Sequence, residues 1–357
     1  MNYRHAEILA PQDLGVAGTK IIDIDLEDVV SRITVVFKPV GGSTTILGHP
    51  VLGINKIELI DGSDVLHSLS GKEGQALNIF DSKNPVVQEI DYRVGGTPMI
   101  YYNLDFGRWL WDPELGFDPK KFKNPQLKLT WNEIAYDASV TSHAFIVYGH
   151  VFDEKTVSPR GFLMPKEIKS YAGVAGSYEY TDMPTDYVLR KLMLKGELAG
   201  SGVRAVIEDI RLSENNDKCI PMDGDIHDLR SFLDPLVPDA VDIIRATVAA
   251  TSTTLFCTPH NLASVVQSVD TPDVVPSSGA CSGGRFWAEM ETAPGNVQFQ
   301  IRGKNPHGCI CIPFGNQDDP DDWYDVTKLG NLKLRLKGGS GAPSSTTRIV
   351  TQQLRMY

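Results

Sequence analysis

Hydrophobic positions along this chain fall in short alternating runs, not in long stretches spaced for helices. Ile33 to Val40, Ile54 to Ile60, Val86 to Tyr92, Met99 to Leu104, Gln126 to Trp131 and Ala144 to Phe152 are rich in Val, Ile, Phe, Tyr and Thr. The period of two turns one face of each run inward, as in a half-buried strand. A matching set comprises Val188 to Leu198, Arg204 to Leu212, Cys309 to Phe314, Asn331 to Leu336 and Arg348 to Met356. With 22 prolines and 32 glycines between the runs, the pattern predicts an all-β sandwich or barrel. Two short helices interrupt it. Ser70-Gly-Lys-Glu73 reads as a capping box that opens a helix carrying Ala76, Leu77 and Phe80 inward, and Asp225 to Asp228 opens another with Ile226, Leu229, Phe232 and Leu233.

The two sets of runs are copies. Asp28-Val-Val-Ser-Arg32 recurs as Asp186-Tyr-Val-Leu-Arg190, and Ile54-Asn-Lys-Ile57-Glu-Leu59 as Ile207-Glu-Asp-Ile210-Arg-Leu212. Phe106-Gly107 returns as Phe314-Gly315, and Leu127-Lys128-Leu129 as Leu332-Lys333-Leu334. The offset is 158 at the first strand, 153 through the helix and 205 to 208 from the Phe-Gly pair onward. The jump places about 55 extra residues in the second half, within 235–307. That insertion has strand patterns of its own at Arg245 to Phe256, Phe286 to Glu291 and Val297 to Ile301, with Thr292 to Asn296 as a turn. The expected organisation is an arm over 1–20, a first sandwich over 21–160, a linker over 161–184 and a second sandwich over 185–357. The insertion is expected to stand out as a protrusion.

A chain of 357 residues is comfortable for two domains with separate cores. The five cysteines, at 219, 257, 281, 309 and 311, form no CxxC pair, which argues against a zinc site or a disulfide framework. Charged residues interrupt the Met1-Asn-Tyr-Arg-His-Ala-Glu start where a signal peptide needs an apolar run. No apolar stretch approaches the roughly 18 residues of a membrane span, so the chain is expected to be soluble when made. A net charge of −11 disfavours a surface that coats nucleic acid, because phosphate binding needs clustered Lys and Arg.

Enzyme signatures such as GxSxG, a P-loop, GxGxxG and HExxH are absent from the sequence. Asp64, His67 and Ser68 resemble a triad in print, but adjacent strand residues point to opposite faces. Trp287, Glu289 and Glu291 share a strand face, with carboxylates about 7 Å apart. That spacing is within reach of the paired acids of a glycosidase beside a sugar platform, but acidic alternation is ordinary on a half-exposed strand, and a solvated face is the expected reading. Asp318, Asp319, Asp321, Asp322 and Asp325 crowd one loop with oxygen ligands suited to calcium, but without the spacing of an EF-hand, and an acidic exposed turn is the expected reading. Asp223-Gly-Asp225 reads as a helix cap, and Cys309 and Cys311 as core packing. Phe106 to Trp111 is the densest aromatic cluster; with Arg108 alone it makes no basic groove and reads as packing on its own sandwich or a neighbour. No catalytic, cofactor-binding or metal-ligating residue is assigned.

In order and duplication, these motifs resemble the double jelly-roll major capsid proteins of tailless icosahedral viruses. The resemblance rests on an Asp-x-Val-x-Arg first strand, the Asp61-Gly-Ser-Asp-Val-Leu-His-Ser-Leu-Ser-Gly71 strand leading into a helix, and the late series at Ile100 to Leu129 and Ile310 to Leu334. It spans about residues 21 to 357. What it implies is two tandem eight-stranded jelly-roll sandwiches and homotrimers of nearly hexagonal outline that tile a virion shell, made in the host cytoplasm. Further implied partners are minor capsid or penton proteins and an internal membrane touched by the 1–20 arm; no cofactor and no sequence-specific nucleic acid are implied. The competing expectations are a two-jelly-roll glycan hydrolase or amidase using Glu289 and Glu291, and a carbohydrate-binding attachment protein using Trp287 or the Trp109 and Trp111 loop.

Overall fold

The computed structural model describes residues 3–40, 46–140, 142–153, 157–250, 252–268, 274–275, 283–290 and 294–357. In the first half, strands Arg4–Gln12, Ser142–Val151, Val30–Val40 and Ile100–Asp105 lie side by side in that order. Opposite them, Ala17–Asp23, Pro125–Asn132, Ile54–Asp61 and Asp64–Leu69 form the second layer. Strand alternation turns Ile33, Val35 and Phe37 toward Ile57, Leu59, Leu127 and Leu129, and these side chains fill the space between the layers. The second half repeats the order. Gly161–Ala172, Thr346–Met356, Val188–Gly196 and Cys309–Pro313 make one layer, and Tyr178–Asp182, Leu332–Gly338, Ile207–Glu214 and Cys219–Asp225 the other. Helix α1 (Gly71–Asp81) follows Asp64–Leu69, as helix α2 (Ile226–Leu233) follows Cys219–Asp225. Two tandem eight-stranded jelly rolls therefore share one strand order.

The stretch expected to be an arm, residues 1–20, contributes two strands of the first jelly roll. Arg4–Gln12 pairs with Ser142–Val151, and Ala17–Asp23 with Pro125–Asn132. The stretch expected to be a linker, 161–184, supplies their counterparts, Gly161–Ala172 and Tyr178–Asp182. The repeat is hidden here because the environments differ. Arg4–Gln12 is a mostly exposed edge strand, whereas Gly161–Ala172 begins with five buried residues and lies in the middle of an eight-stranded sheet. It enters that position through a single parallel bridge, Lys166 to Ser68, which joins a layer of one jelly roll to a layer of the other.

Pairing also corrects two alignments read from residue identity. Val30 bridges to Phe117 as Leu189 bridges to Tyr324. The Phe106 amide donates to the Ser31 carbonyl (3.2 Å) as the Phe314 amide donates to that of Arg190 (3.0 Å). The counterpart of Arg190 is thus Ser31, and that of Arg32 is Lys191, one residue away from the match in the sequence. Likewise Ile57 and Leu59 face Leu129 and Leu127, while Ile210 and Leu212 face Leu336 and Leu334. The second Leu-Lys-Leu match is slipped by two, a shift that keeps every side chain on its face and so escapes hydrophobic patterning.

The insertion does not fold apart from the first half. Val86–Tyr92, assigned by pattern to the first sandwich, runs parallel to Ala240–Val248, followed in the same sheet by Gly295–Pro306 and Pro259–Ser268. The run expected as one strand over Arg245 to Phe256 is two, broken between Val248 and Thr253. A separate core of Ile90, Tyr92, Ile244, Leu255, Phe286, Phe299 and Ile301 mixes residues of both origins. The turn expected over Thr292 to Asn296 lies partly outside the described residues.

In α1, the Ser70 amide donates to Glu73 Oε2 (2.9 Å), the acidic half of the expected capping box, and Ala76, Leu77 and Phe80 are buried. In α2, Ile226, Leu229 and Leu233 are buried but Phe232 is 59% exposed, against expectation. Gly74 of α1 lies against Tyr102, so close that an added Cβ would sit 1.9 Å from the ring. Gly74→Ala is therefore expected to destabilise by about 1–3 kcal/mol through overpacking, although alanine in a helix ordinarily gains up to about 1 kcal/mol over glycine. Urea unfolding measures the sign, and a more stable variant would contradict this packing.

Candidate functional site

The structure disperses the residues that looked chemical in sequence. His67 is buried and its Nε2 meets the Tyr102 hydroxyl at 2.8 Å, while Ser68 reaches toward Glu58 and Asp64 pairs with Arg355. Burial holds the His67 pKa down to about 3, and the three side chains take separate partners. Trp287 and Glu289 face outward from Arg285–Met290, whose Phe286, Ala288 and Met290 point into the core of the insertion; Glu291 lies outside the described residues.

The acidic loop is occupied by the chain's own cations and amides. Asp318 pairs with Lys83, Asp321 with Arg160 and Asp325 with Lys328, while Asp319 and Asp322 accept from the amides of Asp321 and Asn316. Among the described residues no group of three His, Cys, Asp or Glu side chains is placed to hold a metal ion. Asp225 caps α2 through the His227 amide (2.7 Å), and Arg204 holds its pKa down to about 2. Phe106 stacks on Phe117 inside the first core. Trp111 packs on Tyr3 and Phe152, and Trp109 lies under Arg108. Arg108 is held by Asp112 and Glu114 and donates to the Asp318 carbonyl of the second half.

What the fold does concentrate is charge at the junction of the two jelly rolls. In Val188–Gly196, alternation sends Leu192 and Leu194 into the second core and Lys191, Met193 and Lys195 the other way, toward the first half. Cys309 and Cys311 share that outward face and join the first core, so they are packing residues, their thiols raised by burial. Facing them is α1. Fully buried Glu73 accepts from Arg348 (2.9 Å) and Lys195 (3.3 Å), and neighbouring Lys72 pairs with Glu197 at 2.5 Å. At the other end of the helix, Asp81 takes Arg190 (2.6 Å), Lys191 and Gln352 (2.9 Å).

Burial works against charge on Glu73 and Asp81, yet their cationic partners hold both carboxyls below the usual range. Asp105 goes the other way: burial first, with Asp81 nearby, raises it in spite of its pair with Arg32. The duplicated position explains the difference. Arg32 stands opposite Asp105, whereas its counterpart Lys191 stands opposite Pro313, and the missing carboxylate is supplied by the other jelly roll through Asp81. No motif in the sequence marks this cluster. Its signal was Lys191 and Lys195 on one strand face beside Met193, where a half-exposed strand carries no partner of its own.

This chain is similar in fold to the major capsid protein of Sulfolobus Turreted Icosahedral Virus, with a TM-score of 0.62 at 11% identity over 99% of this chain and 97% of that one. The major capsid protein P2 of bacteriophage PM2 follows with TM-score 0.56 and 8% identity, covering 99% and 98%. The PBCV-1 virus capsid protein gives 0.55 and 9%, covering 99% and 94%. No family model matches the sequence, and no curated protein matches it either. At such identities the likeness is one of fold, and it extends end to end.

Removing one partner from a buried ion cluster typically costs about 3–5 kcal/mol, because the remaining charges stay desolvated. Asp81→Asn is accordingly expected to destabilise the chain by about 3 kcal/mol or more. Since the cluster is shielded from solvent ions, the loss should persist in high salt. Urea midpoints at low and high salt test both statements, and a loss that disappears with salt would place Asp81 at the surface.

Proposed function

We propose that this chain is the major building block of an icosahedral virus shell, assembled as trimers of nearly hexagonal outline. The observation that carries the reading is the internal seam. One jelly roll closes against its copy by presenting its helix-bearing end to the outer face of the copy's sheet, and a ring of three chains repeats that contact between subunits. The second jelly roll presents its own helix-bearing end uncovered. Phe232 is 59% and Leu236 67% exposed at α2, and Ile220 is 40% exposed on the strand that corresponds to Asp64–Leu69.

The receiving face is the outer side of the Ile100–Asp105 sheet, where Tyr101 is 47% exposed. Tyr101 occupies the place that Cys309 fills in the internal seam. Exposed apolar groups on both faces mark them for contact with another chain. The inserted sheets, with a core of their own, project from the shell in this reading. A map of the assembly with residues 240–306 in the shell floor would remove that placement.

The full chain of 39.2 kDa should run as a stable trimer of about 118 kDa by light scattering. Phe232→Asp combined with Leu236→Asp should give a monomer that stays folded, with the circular dichroism spectrum of the wild type, because exposed positions add little to the fold of one chain. A wild-type chain that stays monomeric, or a double variant that remains trimeric, would sink this arrangement.

A further inference from the structure

Three buried histidines meet where the first jelly roll, the insertion and the second jelly roll touch. His49 precedes the 3-10 turn Pro50–Gly53 of the first; His260 lies on Pro259–Ser268 of the insertion; His307 sits at the return from the insertion into Cys309–Pro313. They are 2%, 0% and 2% exposed, and the rings of His49 and His307 are 4.8 Å apart, edge to face. His49 Nδ1 accepts from the Val51 amide (3.1 Å), so its proton sits on Nε2 and points to Thr258 Oγ1 (3.2 Å). The Thr258 amide in turn donates to Asp242 Oδ2 at 2.5 Å, and its carbonyl accepts from the His307 amide at 2.8 Å. His307 Nε2 meets Gln75 Oε1 of α1 at 2.6 Å.

This seam is arranged for uncharged imidazoles. A second proton on His49 would displace the Val51 amide from Nδ1. Asp242 Oδ1 has no hydrogen-bond partner among the described residues, and the His260 ring lies against the Ser201 backbone. The charged groups around the rings are Lys72 and Glu197 for His49; Glu197, Lys72 and Arg230 for His260; and Lys72 and Lys195 for His307. Two of these cations, Lys72 and Lys195, already lean on Glu197 and Glu73. The return itself is tightly bent, with Asn305 and His307 at φ of 58° and 52°, a left-handed conformation held only while its surroundings enforce it.

We propose that the His49–His260–His307 seam is an acid-operated latch, whose protonation releases the inserted sheets from the two jelly rolls while the jelly rolls stay folded. Burial lowers the His49 pKa to about 3 and that of His260 to about 4, and places His307 well below its ordinary value. Each histidine therefore stabilises the closed seam fully above about pH 6.5, the unperturbed value, and that stability is lost as pH falls. Asp242 acts in the opposite sense. Burial raises its carboxyl to about 7, so its contribution is present at low pH and fades as pH rises through 7. Between about pH 4.5 and 6, opening takes up three protons on the histidines and releases one from Asp242, a net uptake of two.

Hydrogen exchange on the full chain, read by mass spectrometry, tests the latch. Over this range the opening constant for the peptides carrying the Val51 and His307 amides, which donate at the seam to His49 Nδ1 and the Thr258 carbonyl, should rise about 100-fold for each unit that pH falls, while peptides in 207–214 and 332–338 keep their protection. Asp242→Asn should steepen the rise to about 1,000-fold per unit, and His260→Gln should flatten it to about tenfold. Parallel loss in all four segments, or a slope indifferent to both substitutions, would overturn the proposal. The readout follows opening within one chain and so stands apart from whether trimers form.

Discussion

Two carboxylates on one short helix hold the molecule's halves together. Glu73 and Asp81 sit near opposite ends of α1 and carry their charge into a buried region, where Lys195, Arg348, Arg190 and Lys191 of the second jelly roll balance it. Desolvating these groups is costly, and the cost is recovered only when every partner is in place. The junction therefore admits one relative placement of the two sandwiches. Apolar contacts from Met193, Cys309, Cys311 and Val350 to the first core fill the space around it.

That constraint turns a duplication into an asymmetric molecule. Both copies keep the strand order and the helix, but equivalent positions meet different surroundings. Glu73 of α1 is sealed by the neighbouring sheet, while α2 leaves Phe232 and Leu236 at the surface. Arg32 finds its carboxylate within its own sandwich, and Lys191 finds one only in the other. In the proposed shell each open end meets the matching face of another copy, which closes a ring.

The insertion belongs to neither copy alone. Its principal sheet is completed by Val86–Tyr92 of the first half, so the two halves are tied above the junction as well as across it. The histidine seam lies where these ties converge, and the groups that make it acid-sensitive are buried because three separate parts close over them. Stability and responsiveness thus come from the same burial, one through paired carboxylates and the other through uncharged imidazoles.

By itself the sequence determined what depends on local periodicity. The strand class, the helix after Ser70, the Asp225 cap, the duplication and the position of the insertion were all legible, because alternation and capping act within a few residues. Tertiary structure decided everything that depends on which face meets which. Arg4–Gln12 and Gly161–Ala172 occupy one place in the fold, but one is an edge and the other a centre, so their residues no longer match. The Leu332 alignment slipped because a strand moved by two residues keeps its hydrophobic pattern, and the Arg190 match lies one residue from its structural counterpart, at a bulge that both copies share. Lys191 and Asp81 are about a hundred residues apart in the chain and ordinary as a sequence. Only the packing of one jelly roll on its copy makes them a pair, because a buried charge is defined by what surrounds it.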